Sequence, residues 1–200
     1  MKLERKLKVL IEHCENELSD WLWFEYENSS RIVGKQNIVF TNVKSTSALE
    51  KLRALGMVKR ESVVELIESG ELSPSEVIVL DPYATTLLSP QDFNRRINYV
   101  VIGGILGDYP PTGRTKLMIT SKLDGCRARS LGPYQFSIDG AVYIALQVFK
   151  GKSIDQIPIQ IGLKISLSDL HEVYLPYAYP LINGIPLISK NLIEYLKSQA

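Results

Sequence analysis

Short apolar runs alternate with longer amphipathic stretches through the first three quarters of the chain, and this alternation limits the fold more than any other feature. Leu7 to Ile11, Asn37 to Thr41, Val77 to Leu80, Ile97 to Ile102 and Cys126 to Ser130 are runs of strand length. Between them the apolar residues fall at helical spacing. Glu17 to Val33 carries Leu18, Trp21, Leu22, Phe24 and Ile32 and stops at Gly34. Ser45 to Leu55 stops at Gly56, and Glu61 to Glu68 ends shortly before Gly70. Ser89-Pro90 opens a short helix with proline in its first turn. Helices are also predicted over Thr115 to Leu123, Ile138 to Phe149 and Ser189 to Ser198, while Ile157 to Ile165 and Val173 to Leu175 read as strands in a less regular tail. The pattern predicts an α/β fold, a mainly parallel sheet with helices on both faces. Residues 1–200 are expected to form a single domain, long enough to bury its own core without disulfide or metal.

In sheets of this kind ligands sit beyond the C-terminal ends of the strands. His13, Asp81-Pro82, Gly103 to Asp108 and Leu131 to Ser137 each follow a predicted strand, so they are expected to converge on one edge. The densest of these loops begins the stretch GGILGDYPPTGRT, residues 103–115, which holds four glycines and two adjacent prolines. It is not a phosphate loop: five residues rather than four separate Gly107 from Gly113, two of them lack an N–H, and Arg114 stands where lysine is required. Nor does Gly103-Gly104-x-x-Gly107 match the dinucleotide fingerprint. A hydrolase's GxSxG elbow is missing.

Composition removes further classes. Cys14 and Cys126 are far apart, and His13 and His171 lack metal-ligand spacing, so no metal centre is expected. The N-terminal stretch MKLERKLKVLIEH is too charged for a signal peptide, and no apolar run approaches the ~20 residues of a membrane span, so a cytoplasmic protein is expected. The net charge of +1 supplies no global field for nucleic acid. Its distribution is uneven: residues 12–27 hold six acids and no Lys or Arg, and residues 94–129 hold seven Lys or Arg and two acids. If the two segments meet at one cleft, they serve a cationic substrate and an anionic ligand.

The pieces Ile11-Glu12-His13 with Glu15, Ser19 and Trp21, Glu25-Tyr26, Val33-Gly34 and Asn37, Leu80-Asp81-Pro82 with Ala84-Thr85, Gly103 to Asp108 with Pro110-Pro111 and Arg114-Thr115-Lys116, and Leu131-Gly132 with Gln135 and Asp139 resemble the SPOUT-superfamily protein arginine methyltransferases. The resemblance runs in order from about residue 7 to 150, and the tail after Gly151 follows it only loosely. It implies a compact, archaeal-type relative that uses S-adenosylmethionine and whose C-terminal half forms a deep trefoil knot. It further implies that the cofactor lies among Leu80, Asp81 and Pro82, then Gly103, Gly104, Ile105, Leu106 and Gly107, then Leu131, Gly132, Gln135 and Ser137. Tyr83, Tyr109, Thr112, Phe136 and Ile138 depart from the eukaryotic pattern and leave the acceptor open.

Methyl transfer to a guanidinium requires carboxylates that orient it and take its proton, because the group stays charged to a pKa above about 12. Asp108 is the first candidate, followed by Glu12 and Glu25; Arg114 is a candidate for the cofactor carboxylate or an anionic substrate group. Trp21 and Trp23 are candidates for stacking or for the core, His13 for a second base or a structural histidine, and Ser137 for a cofactor contact or a helix cap. The leading expectation is methylation of an arginine of a ribosomal or translation protein. An RNA acceptor is the alternative, drawn from the basic 94–129 segment, and a non-catalytic cofactor-binding module is the third. Monomer and knot-mediated homodimer both remain open.

Overall fold

Every second residue of the central strands faces the same layer, and this period of two divides the core in two. The computed structural model describes residues 6–93, 97–107, 112–168 and 171–199. Its elements are β1 (Lys8–His13), α1 (Asp20–Val33), β2 (Ile38–Thr41), α2 (Thr46–Leu52), β3 (Met57–Val58), α3 (Val63–Glu68), β4 (Val77–Leu80) and β5 (Tyr99–Gly104). They continue with α4 (Arg114–Met118), β6 (Arg127–Arg129), α5 (Ile138–Phe149), β7 (Ile159–Ser166), β8 (Glu172–Ile182), β9 (Ile185–Pro186) and α6 (Lys190–Ser198). The first six strands form one parallel sheet in the order β3-β2-β1-β5-β4-β6. Val9, Ile11, Ile78, Leu80, Val100 and Ile102 pack on one face, with Leu22 and Tyr26 of α1, Leu49 and Leu52 of α2, and Val142, Ile144, Ala145 and Val148 of α5. Leu10, Val77, Val79 and Val101 pack on the other, with Val63 and Leu66 of α3. The α/β fold with helices on both faces is therefore observed.

Local chemistry sets the helix starts. The side chains of Ser19, Ser45 and Ser137 accept from Leu22, Ala48 and Gly140 N–H groups at 3.3, 3.4 and 3.3 Å. At α3, Ser62 and Glu65 form a reciprocal capping box. None of the described helices is long and apolar enough to cross a membrane.

The structure departs from expectation at the strand ends. β1 extends through Glu12 and His13, and β5 starts at Tyr99 and runs through Gly103 and Gly104, so both glycines belong to the sheet and not to the loop. Parallel pairing explains this, since Glu12 lies beside Gly103 and His13 beside Gly104. The two-residue edge strand β3 was not foreseen. The expected helix over 115–123 breaks after Met118 and resumes as a 3-10 turn, Thr120–Lys122, while the helix expected at Ser89 is a single 3-10 turn, Pro90–Asp92. In the tail, β7, β8 and β9 form a separate antiparallel sheet, tied to the loop before α5 by Ala178 N–H donating to Gln135 O at 2.8 Å.

Gly104 is a packing glycine. A Cβ built there would lie 2.1 Å from Tyr26 Oη and 3.0 Å from Glu12 O. Tyr26 is fully buried and its hydroxyl is 3.0 Å from His13 Nδ1. Gly104→Ala is expected to cost about 1–3 kcal/mol of overpacking, read as a lower urea midpoint with unchanged slope. Adding Tyr26→Phe, which removes the colliding oxygen, should make the pair less destabilised than the sum of the single variants.

Candidate active site

Two clefts open side by side beyond the C-terminal ends of β4, β5 and β6. The larger, about 330 Å³, is walled by Leu80, Asp81 and Pro82 after β4, by Gly103, Ile105 and Gly107 at β5, and by Leu131, Gly132, Gln135 and Ser137 after β6. Arg114, the first residue of α4, stands at its edge with Tyr83, and Ile138 and Ala141 of α5 complete an apolar floor. The smaller, about 200 Å³, is lined by Trp21 and Glu25 of α1, Leu106, Phe136 and Tyr177. Ile105, Gly107, Phe136, Ser137 and Ile138 line both, so the two clefts share a wall.

Most of the expected cofactor residues thus come together, with two exceptions, and one of the expected catalytic acids lies apart from both clefts. Gly104 lines neither cleft, because its open side is filled by Tyr26. Leu106 lines the smaller cleft and not the larger. Glu12 lines neither: its Oε2 accepts from Thr41 Oγ1 at 2.6 Å and from Val63 N–H at 3.0 Å, so this buried carboxyl ties β1 to β2 and to the start of α3. Burial raises its pKa. Asp108, Tyr109, Pro110 and Pro111 lie outside the described residues.

The structure selects among the readings that several residues left open. His13 is a structural histidine, hydrogen-bonded to Tyr26 and with its pKa lowered by burial. Trp23 packs on the main core, whereas Trp21 faces the smaller cleft. Ser137 both caps α5 and lines the clefts. Glu15 Oε1 accepts from Leu106 N–H at 2.9 Å and pairs with Arg114 Nη1 at 2.9 Å, and the same Nη1 donates to Leu106 O at 3.2 Å. The acidic and basic segments therefore meet at the loop that divides the clefts. Tyr177, in the tail, was not recognised as a site residue; its hydroxyl donates to Gly107 O at 2.7 Å.

Glu25, one of the candidate catalytic carboxylates, is only 7% exposed. Its Oε1 accepts from Trp21 Nε1 at 2.7 Å and its Oε2 from Ile138 N–H at 2.8 Å. Each carboxylate oxygen has a second lone pair free for a further donor.

A parallel α/β domain with a ligand cleft at its C-terminal strand ends and a buried acid beside that cleft has the architecture of a small-molecule-dependent enzyme. The model of the family Protein arginine N-methyltransferase SFM1-like matches residues 8–200, and the chain belongs to that family. Protein arginine N-methyltransferase SFM1 of Saccharomyces cerevisiae is 27% identical over 205 residues, covering 97% of this chain and 96% of that protein. A crystal structure of the yeast enzyme complexed with SAM superposes with a TM-score of 0.86 at 27% identity, covering 98% of this chain and 92% of that one. A Trm10 structure from Thermococcus kodakaraensis shares the fold alone, with a TM-score of 0.59 at 18% identity over 74% of this chain and 96% of the other. The fold is that of the SPOUT enzymes.

Burial, and secondly the charge of Asp139, pushes the Glu25 carboxyl up to about 8 against the hydrogen bonds from Ile138 and Trp21. Unfolded, the same carboxyl titrates near 4.5. Between those values the folded chain binds more protons than the unfolded one, so stability falls as pH rises. Burial lowers the pKa of His13, which tilts stability the other way below its unfolded value of 6.5. Urea midpoints measured from about pH 7 to 8.5 avoid that range and should decline. In Glu25→Gln, which carries no titrating group at this position, the decline should flatten.

Proposed function

We propose that this chain transfers a methyl group from S-adenosylmethionine to an arginine side chain, and that the acceptor is a ribosomal or translation protein. The buried carboxyl of Glu25, exposed to the smaller cleft beside the larger one, is the observation that carries this reading. The family model and the relatives at 27–28% identity are protein arginine methyltransferases, so an RNA acceptor is not favoured.

The larger cleft fits an adenosyl group. Leu80, Ile102, Leu131, Ile138 and Ala141 offer an apolar bed for a neutral base, and Gln135 Oε1 is a buried acceptor with no partner among the described residues. A Cβ at Gly107 would come within 2.4 Å of Gln135 Nε2 and 3.0 Å of Tyr177 Cε1, so a side chain there would displace Gln135 from its place beside the clefts. When bound there, S-adenosylmethionine supplies an electrophilic methyl group on a sulfonium sulfur. We assign Leu80 to Pro82, Gly103, Ile105, Gly107, Leu131, Gly132, Gln135 and Ser137 to its binding, and Arg114 to its carboxylate end. The deep knot implied by the resemblance, a single domain over 1–200 and a cytoplasmic setting belong to the same proposal.

In the smaller cleft, ionised Glu25 offers one free lone pair on each oxygen, the arrangement that takes a guanidinium through two parallel N–H bonds. Trp21 and Ile138 N–H hold the carboxylate still, which keeps the acceptor nitrogen aligned for in-line attack. Glu25 then takes the proton that the nitrogen loses as its new bond forms. Asp108, next in the sequence after Gly107, is assigned as a second acid-base group.

Incubation with labelled S-adenosylmethionine and methyl-free ribosomes should place label on protein, removable by protease and resistant to nuclease. Label that survives protease and disappears with nuclease would overturn the reading. Glu25→Gln should keep cofactor affinity within about threefold while transfer drops about 100-fold or more.

A further inference from the structure

The smaller cleft has a second buried acid behind its wall. Asp139, the second residue of α5, is 2% exposed and lines neither cleft. Its Oδ1 accepts from Gly140 N–H at 2.9 Å and its Oδ2 from Asn28 Nδ2 at 2.7 Å. Asn28, which holds Asp139, lies on α1 three residues after Glu25, and Ile138, whose N–H holds Glu25, immediately precedes Asp139, so the two buried carboxyls lie close together across the α1–α5 contact. Burial raises the pKa of both. The other groups around Glu25 are Trp21 on its own helix, Ile138 N–H on α5, and Tyr177 and Tyr179 on β8. Tyr179 stays neutral, since burial and the two carboxyls raise its pKa. Asp108 lies outside the described residues.

Two negative charges confined to one apolar space repel, and such a pair retains a proton unless a cation arrives to balance it. We propose that Asp139 is a positioning residue of the acceptor site, whose charge keeps a proton on Glu25 until a guanidinium enters and replaces it. The inference rests on reading the smaller cleft as the acceptor site. No bond changes partner beyond this exchange: the proton leaves to solvent, and the N–H groups of the entering cation take the freed oxygen lone pairs. The empty site thereby avoids a buried charge that would attract water or other cations, and it opens only to a group able to carry the charge itself.

The test is the pH dependence of kcat/KM from pH 6 to 9.5, with methyl-free ribosomal protein as acceptor and labelled S-adenosylmethionine as donor. Activity should climb with a midpoint near the value of about 8 set for Glu25. Asp139→Asn removes the repelling charge and should lower that midpoint by about one unit or more. At pH 7 this variant would then work at a larger share of its own plateau than the wild type does. Asn28→Ala acts from the other side. Without its donor, Asp139 takes up a proton more readily and stops repelling Glu25, so the midpoint again falls. A purely structural Asp139 would lower kcat or stability and leave the midpoint in place; that result in both variants overturns the inference, as does a wild-type profile flat across this range. If Asp139→Asn does not fold, Asn28→Ala decides alone. Wild-type protein that labels no acceptor protein at any pH overturns the functional reading itself, whereas transfer with unmoved midpoints overturns only the role of Asp139.

Discussion

The missing side chain at Gly104 seats the first helix, and the site depends on that seat. With nothing at the Cβ position, Tyr26 reaches over the end of β5 and places its hydroxyl against His13 on the neighbouring strand. The tyrosine ring also lies 5.1 Å from that of Phe40, so one side chain anchors α1 to β1, β2 and β5. One residue back along α1 is Glu25, and one turn earlier is Trp21. Once Tyr26 is buried, helical geometry leaves little freedom in where that acid and that indole go.

The loop between the clefts is held by contacts from three directions. Glu15 takes the Leu106 N–H, Arg114 takes the Leu106 carbonyl while pairing with Glu15, and Tyr177 takes the Gly107 carbonyl. Each contact satisfies a backbone group that would otherwise sit unpaired in a partly buried turn. Residues 105–107 thereby form part of the wall between the two clefts. The two charge runs of the sequence meet here in the Glu15–Arg114 pair, with Glu25 buried beside the smaller cleft.

Much of the fold was legible because strand and helix periods are local properties. The span of α5, Ile138–Phe149, and that of β4, Val77–Leu80, were readable from apolar runs and flanking signals. The ends of β1 and β5 were not. Glycine reads as a loop residue, while parallel pairing with Glu12 and His13 extends the sheet through Gly103 and Gly104. Glu12 and Glu25 looked alike as acids near a predicted edge. Long-range partners separate them: Thr41 and Val63 occupy Glu12, while Ile138, together with Trp21 one turn away on α1, holds Glu25 open to a cleft. Tyr177 carried no local signal, since its role depends on the antiparallel tail sheet folding back against a loop 70 residues away.

The sequence by itself determined the layered α/β class, the edge of the sheet where ligands gather and the loops that form the larger cleft, because these follow from periodicity and from where strands end. The tertiary structure alone decided which acid faces the smaller cleft, what fills the space beside Gly104 and which residues stand behind that cleft. Burial and electrostatic coupling are properties of neighbours far apart in the chain. Glu25 and Asp139 influence each other's protons only because α1 and α5 pack together, and nothing in either segment's own composition encodes that contact.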